Sequence, residues 1–268
     1  MAGPGRLCAV RPDLTQLRDL VEESPGFGVG GPAAAVPEEA IRDAETRVGP
    51  LPPSYRWWLA EFGHGQAGGA QIATAGPAGA ADDDMYGDMY EAITAAWRLN
   101  GARLCFAVEP DCGDGYSFAL DRSGEAGEGE HPVVCRDGVD GEEYPVAESF
   151  AGFLAVRAAR LRGLRDGPNP TIARLWRSTP GVLLDNGIHV YGPHTLAERN
   201  ETFEVARYAP HWVLVGDDSG GDGFFMRRHG RDRVSVHRLG LGAVCADVAA
   251  AGEAVTDDLI GWLRAAGA

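Results

Sequence analysis

Two glycine-rich stretches of this 268-residue chain can be laid one on the other without a gap. Leu104 to Leu120 reads LCFAVEPDCGDGYSFAL and Trp212 to Arg228 reads WVLVGDDSGGDGFFMRR, a constant offset of 108 residues. Gly113-Asp114-Gly115 falls on Gly221-Asp222-Gly223, and Tyr116 falls on Phe224. Further along, FAGFL (Phe150 to Leu154) matches LIGWL (Leu259 to Leu263) at nearly the same offset. A period of this length is that of a duplicated domain, not of a solenoid. Each copy reads as a buried strand, an acidic glycine-rich turn and a second strand, with Tyr116, Phe118 and Leu120 alternating as in a half-buried strand. Glycines supply the positive φ values of a tight connection, and Asp or Ser side chains can hydrogen-bond the turn's own amides.

This turn chemistry bears on GDDSGGDGFF (Gly216 to Phe225), which lies one residue away from the GDSGG that surrounds a protease nucleophile. A serine nucleophile needs a His base, an orienting Asp and an oxyanion hole. No histidine here stands in a suitable context, and the position equivalent to Ser219 in the other copy is Asp111. The residues Asp111, Gly113, Asp114, Gly115, Ser219, Gly220, Gly221, Asp222 and Gly223 are therefore expected to be structural, and no catalytic residue is assigned.

Around the hairpins the periodicity predicts further elements. Residues 11–23 place Leu14, Leu17, Leu20 and Val21 on one helix face. SPGFGVGGPAAAVP reads as a linker; its formal G-x-G-x-x-G (Gly26, Gly28, Gly31) follows a helix instead of a strand and so is no dinucleotide fingerprint. PEEAIRDAETRVG has a proline and acids at a helix start. LPPSYRWWLAEFGHG puts Tyr55, Trp58, Leu59 and Phe62 on one face and stops at Gly63. EYPVAESFAGFLAVRAARL predicts a helix with Phe150, Phe153, Leu154 and Leu161 inward. Arg165 to Pro170 reads as an inter-domain joint, GVLLDNGIHVYG as a hairpin turning at Asn186-Gly187, and Thr256 with Asp257 and Asp258 as the cap of a last helix.

Charge narrows the function classes. The net charge is −15, and all 24 basic residues are arginine. From Asp82 to Glu148 there are 17 acidic residues and four arginines, a local balance of −13. Such a surface repels phosphate backbones, which argues against nucleic-acid binding, and attracts a basic protein. No apolar run is long enough to span a membrane or to form a secretory signal, so a cytoplasmic protein is expected. Five scattered cysteines without a C-x-x-C pair predict reduced, mostly buried thiols instead of a disulfide framework or a zinc site. DDDMYGDMYEAI (Asp82 to Ile93) departs from a calcium loop by having Tyr86 and Ile93 where ligands belong. Histidines 189, 194 and 211 have no metal spacing. Neither metal nor cofactor is expected.

Three blocks in order resemble the SUKH superfamily of Smi/Knr-type cell-wall regulators. PEEAIRDAETRVGPLPPSYRWWLAEFGHG is similar to its opening, LCFAVEPDCGDGYSFALD resembles its central hairpin, and PVAESFAGFL its closing helix; together they cover roughly residues 34–163. The second half looks like a divergent relative that lacks the LP-x-x-Y helix. The resemblance implies an α+β fold of two tandem SUKH-like domains, each a mainly antiparallel sheet with helices on one side. The boundaries expected are 1–33 (helix and linker), 34–166 and 167–268. It also implies an immunity protein that occludes a basic toxin domain, possibly a nuclease; the alternative is an intracellular regulatory scaffold binding endogenous partners. The candidate toxin-binding acids are Asp82, Asp83, Asp84, Asp88, Glu91, Glu125, Glu128, Glu130, Asp137, Asp140, Glu142 and Glu143. Tyr86, Met89 and Tyr90 are the candidate anchors.

Overall fold

The computed structural model describes residues 11–74, 98–124, 126–165 and 167–267. The repeated hairpins form as expected, because each pairs strands that are neighbours in the chain through a turn that closes locally. Strand β5 (Arg103–Glu109) pairs antiparallel with β6 (Asp114–Ala119), and β11 (Trp212–Asp217) with β12 (Asp222–Arg227). A register shift interrupts both pairings, between Cys105 and Ala107 in one and between Leu214 and Gly216 in the other.

Each hairpin sits inside an antiparallel sheet. The first runs β1 (Phe27–Val29), β2 (Gly65–Ala67), β3 (Ala70–Ile72), β5, β6, β7 (Val133–Arg136), β8 (Glu143–Ala147), with β4 (Arg98–Asn100) also on β5. The second runs β9 (Val182–Leu183), β10 (His189–Val190), β11, β12, β13 (Val236–Gly240), β14 (Glu253–Thr256). Taken from β2 and from β9, the two strand orders correspond one to one. The architecture is α+β, with two antiparallel sheets and helices packed on them.

Helix α1 (Leu14–Glu23) is capped by Asp13, α2 is Glu38–Val48, and α3 (Pro53–Phe62) ends at Gly63 with φ +72°. The apolar stripe Tyr55, Trp58, Leu59, Phe62 is buried as its spacing predicts. It meets Phe106 and Phe118 of the sheet, whose rings stack at 4.2 Å, and Phe150 of α4 (Phe150–Leu161). The second half contributes α5 (Pro170–Trp176), α6 (Pro193–Thr202), the single turns α7 (Val205–Tyr208) and α8 (Val248–Ala251), and α9 (Leu259–Ala266).

Helix α5, PTIARLW, carries no LP-x-x-Y motif, yet it precedes β9 and β10 as α3 precedes β2 and β3. Its buried positions Ile172, Leu175 and Trp176 repeat the spacing of Tyr55, Trp58 and Leu59. Trp176 Nε1 donates to the carbonyl of Tyr191, the residue after β10, as Tyr55 Oη donates to that of Ala73, the residue after β3. The helix N-termini α4 and α9 also match: Ser149 and Asp258 each accept from a glycine amide three residues on, Gly152 and Gly261. Asp258, not Thr256, is thus the cap of the last helix, and Thr256 Oγ1 accepts from Asp258 N just before it.

Other readings change as well. The expected linker contains β1, paired with β2 from Phe27 opposite Ala67 to Val29 opposite Gly65. Helix α1 ties both halves together: Asp13 N donates to Thr179 Oγ1, Leu183 N donates to Asp13 Oδ2, and Gln16 meets His189 at 3.1 Å. Leu14 and Leu161, at the first and last positions of their helices, are 41% and 44% exposed instead of inward, and Leu161 lies over the glycine turns at Gly26 and Gly68. Every residue of α4 from Phe150 to Ala159 is buried, Arg157 included. One face of α4 meets the first sheet and the other meets the second half, where Gly152 lies against the Arg177 carbonyl. Among the described cysteines only Cys135 is fully buried, and Cys112 is exposed.

Candidate acidic interface

The two outer turns of the first sheet lie together at one end of it. The β5–β6 turn closes with Gly113 N donating to Glu109 O (2.8 Å) at φ +81°, a value that favours glycine. The β7–β8 turn closes with Asp137 N donating to Glu142 O and Gly141 N to Asp137 O. Carboxylates hold its inner geometry: Asp137 Oδ1 accepts from Val139 N (2.7 Å) and Asp140 N (3.1 Å), and Asp140 Oδ1 from Glu142 N (2.8 Å). Asp114 Oδ1 accepts from Gly138 N at 3.0 Å and links the turns. A side chain at 138 would strike the Cys112 carbonyl oxygen at 2.3 Å, so only glycine permits this approach.

The result is a patch of Asp111, Asp114, Asp137, Asp140 and Glu142, none of which forms an ion pair with another described residue. Val139 projects from its centre at 91% exposure. A backbone built by its own acids presents charge at little conformational cost. Asp111 and Asp114, read from sequence only as turn formers, belong to this patch. Val139 was missed; a lone apolar residue within DGVDGEE is its signal.

Other predicted acids go elsewhere. Glu143 is held with Asp121 by Arg103, at 2.9 and 2.6 Å, and so contributes little free charge. Glu128 is exposed but borders a separate hollow beside Pro53 and Leu14. Glu130 must be removed from the surface altogether, since it is only 3% exposed. Its carboxylate accepts from Ser54 N (2.8 Å) and Ser54 Oγ (2.9 Å), so it caps the start of α3. Burial raises its pKa despite those bonds. Asp82, Asp83, Asp84, Asp88, Glu91, Glu125, Tyr86, Met89 and Tyr90 lie outside the described residues.

Beside the patch, Glu109, Cys112 and Asp114 bring ligand atoms within 4.8 Å of one another. Glu109 is already engaged, accepting from Arg157 Nη1 and Tyr116 Oη at 2.9 Å each. Burial pushes its carboxyl up, but the Arg157 guanidinium and the Tyr116 hydroxyl outweigh that and hold it low. Arg157 also binds the carbonyls of Ala67 and Gly68, fixing the β2–β3 turn onto α4.

In the second sheet, Asp218 Oδ1 accepts from Gly220 N and Asp222 N, and Asp217 Oδ1 from Ser219 N. Ser219, at φ +56°, donates its hydroxyl to the Gly187 carbonyl at 2.8 Å. That bond joins the β11–β12 turn to the β9–β10 turn. The nearby His189 has its Nε2 at Gln16 Oε1. Ser219 is therefore a turn residue, and GDDSGG resembles a protease motif only because both need glycine-rich turns. Gly221 and Gly223 serve the same turn and strand: Gly221 has φ +112°, and a Cβ at Gly223 would meet Leu214 at 2.6 Å.

Residues 35–156 match the SMI1 / KNR4 family model (SUKH-1). The matched stretch begins just before α2 and ends within α4, so it takes in the acidic patch and the aromatic core. SUKH proteins are in general non-enzymatic immunity or regulatory proteins. A search of curated proteins found no match to the chain. No helix among the described residues is long and apolar enough to cross a membrane.

Proposed function

We propose that the protein is an immunity-type SUKH protein that occludes a basic toxin domain, acting in the cytoplasm through the acidic end of its first sheet. The observation carrying this reading is the set of five carboxylates around Val139, none of them in an ion pair with a described residue, although the Arg136 guanidinium stands at the edge of the same turn beside Gly141. Complementary charge would speed docking and sharpen partner choice, while an apolar tip contributes to retention. A nuclease suits the patch, because its phosphate-binding cations supply the opposite charge. The second half is, on this reading, a divergent SUKH-like unit spanning 167–268. The matching strand order, the cap glycines Gly152 and Gly261, and α5 in the place of α3 support it.

The test is the triple variant Asp137→Lys, Asp140→Lys and Glu142→Lys in a strain that expresses a neighbouring secreted toxin gene. Loss of protection with unchanged melting is expected, together with slower capture of the toxin domain as salt rises. Full protection by the folded variant would refute the docking face. Survival unaffected by deleting the gene would refute the immunity role.

A further inference from the structure

This acidic chain carries one strongly basic loop. At the end of β12 and before β13, Arg227 to Arg233 reads RRHGRDR, four arginines against a single aspartate in a protein of net charge −15. Two of the four are held by the fold. Arg227 lies over the Trp212 ring at 4.4 Å, and Arg228 Nε donates to the Trp212 carbonyl at 2.8 Å. Arg231 and Arg233 are exposed, and none of the four forms an ion pair with a described residue. The loop is tied at both ends to the start of α5, where Asn169 Nδ2 donates to the Arg227 carbonyl at 3.3 Å and Thr171 Oγ1 to the Arg233 carbonyl at 3.2 Å. Asp232 shapes its tip. Its Oδ1 accepts from Val234 N (3.3 Å) and Ser235 N (3.1 Å), so the lone acid faces the loop's own amides, and Val234 two residues on is 50% exposed.

The acidic patch is built the same way with the opposite sign. Asp137 Oδ1 accepts from the amides two and three residues on, and the residue two on is Val139, 91% exposed. One surface thus sets a valine among five carboxylates with Arg136 at their edge, and the other sets a valine beside four guanidiniums with one aspartate. No ion pair joins the two surfaces within one chain among the described residues. We propose that the basic loop docks on the acidic turns of a second copy of this chain, Arg231 and Arg233 against the carboxylates of the β7–β8 turn and Val234 against Val139. Two bodies of charge −15 repel at long range. At about 0.15 M salt the Debye length is only about 8 Å, so the charges at the contact decide the outcome. A nucleic acid would run its phosphates on past the acidic remainder of the molecule, which disfavours it as the occupant. The two surfaces are unlike, so copies join head to tail, and small loops make the contact a weak, transient one. The contact does not rest on the toxin reading. One consequence does: copies cover each other's docking face until a basic partner displaces them.

Sedimentation velocity of the full chain alone, from about 1 μM to about 1 mM in about 0.15 M salt, tests the contact. The weight-average mass should rise with concentration and fall back as salt approaches about 1 M. The variant Arg231→Glu, Arg233→Glu should weaken association by about tenfold or more, and so should Asp137→Lys, Asp140→Lys, Glu142→Lys. An equal mixture of these two variants should associate again, because each supplies the surface that the other lacks. The control Arg42→Gln, Arg47→Gln, on the exposed face of α2, should associate like the parent. A parent that stays monomeric, reversal variants that associate like the parent, or a mixture that stays monomeric would each overturn the contact. So would a short single-stranded DNA that binds a monomeric parent through Arg231 and Arg233. Should Arg231→Glu, Arg233→Glu fail to fold, Arg231→Gln, Arg233→Gln must still weaken association several-fold, and no weakening would overturn it equally. Toxin and host play no part in this measurement, so its failure is distinct from failure of the immunity reading.

Discussion

Replacing Gly152 by alanine probes the contact that joins the two halves. An ideal Cβ at 152 would stand 1.8 Å from the Arg177 carbonyl oxygen, 2.3 Å from its carbon and 2.9 Å from Ser178 N. All three are backbone atoms, so no side-chain rotation relieves the clash. Within α4 the change by itself is favourable, since Gly is about 1 kcal/mol worse than Ala in a helix interior. Against that, overpacking costs about 1–3 kcal/mol. Two hydrogen bonds cross the same seam, Glu148 N to Arg177 O at 2.7 Å and Ser149 Oγ to Ser178 O at 2.6 Å. Stretching them costs about 1 kcal/mol each. The sum is a destabilisation of about 2–4 kcal/mol, or a Tm lower by roughly 5–15 °C. Urea unfolding followed by tryptophan fluorescence reads it directly. Gly261→Ala is the control, because there the Cβ meets only the Asp258 side chain, at 2.3 Å; a weakened cap of about 1 kcal/mol and the gain in propensity nearly cancel. A Gly152→Ala protein as stable as the parent would show that α4 does not touch residues 177 and 178.

Other consequences follow from buried groups. Burial lowers the pKa of His194 to about 4, with Arg162 and His189 adding to the effect. The unfolded chain then binds the extra proton between pH 6.5 and about 4, so stability falls as pH falls through that window, by about 3 kcal/mol at most; His194→Gln should flatten the slope of urea midpoint against pH. Glu130 has the opposite sign. Its folded pKa is raised, so its term weakens stability as pH rises from the ordinary Glu value through the raised one. Glu130→Ala should leave Ser54 N and Oγ unsatisfied and lower stability by about 1–3 kcal/mol in the same assay. Arg157→Ala leaves Glu109 without its cation and frees the β2–β3 turn, an expected loss of about 3–5 kcal/mol in urea unfolding.

Local features of the chain were legible without coordinates. The hairpins at Gly113 and Gly221, the stop at Gly63 and the buried face Tyr55, Trp58, Leu59, Phe62 each depend on residues within one turn or one helix of each other. The interface was legible only in part. DGVDGEE marks a charged turn, yet nothing in it says that Asp111 and Asp114 lie alongside, or that Arg103 removes Glu143 from the free charge.

Burial, in contrast, is decided by whatever comes to lie across a residue. Glu130 sits in an acidic loop by sequence, but the start of α3 folds over it and turns a surface charge into a cap. Helix α4 carries an apolar stripe by sequence, and only the arrival of the second half buries its remaining faces. Helix α5 lacks the LP-x-x-Y motif of α3 and shares only the spacing of its buried residues, so it is recognised by the strands it precedes. The sequence by itself determined the turns, the caps and the repeat, because short-range geometry enforces them. Tertiary structure alone decided which charges stay in water and which are buried or paired, because that depends on contacts between separate elements far apart in the chain, such as Glu130 with Ser54 and Arg103 with Glu143.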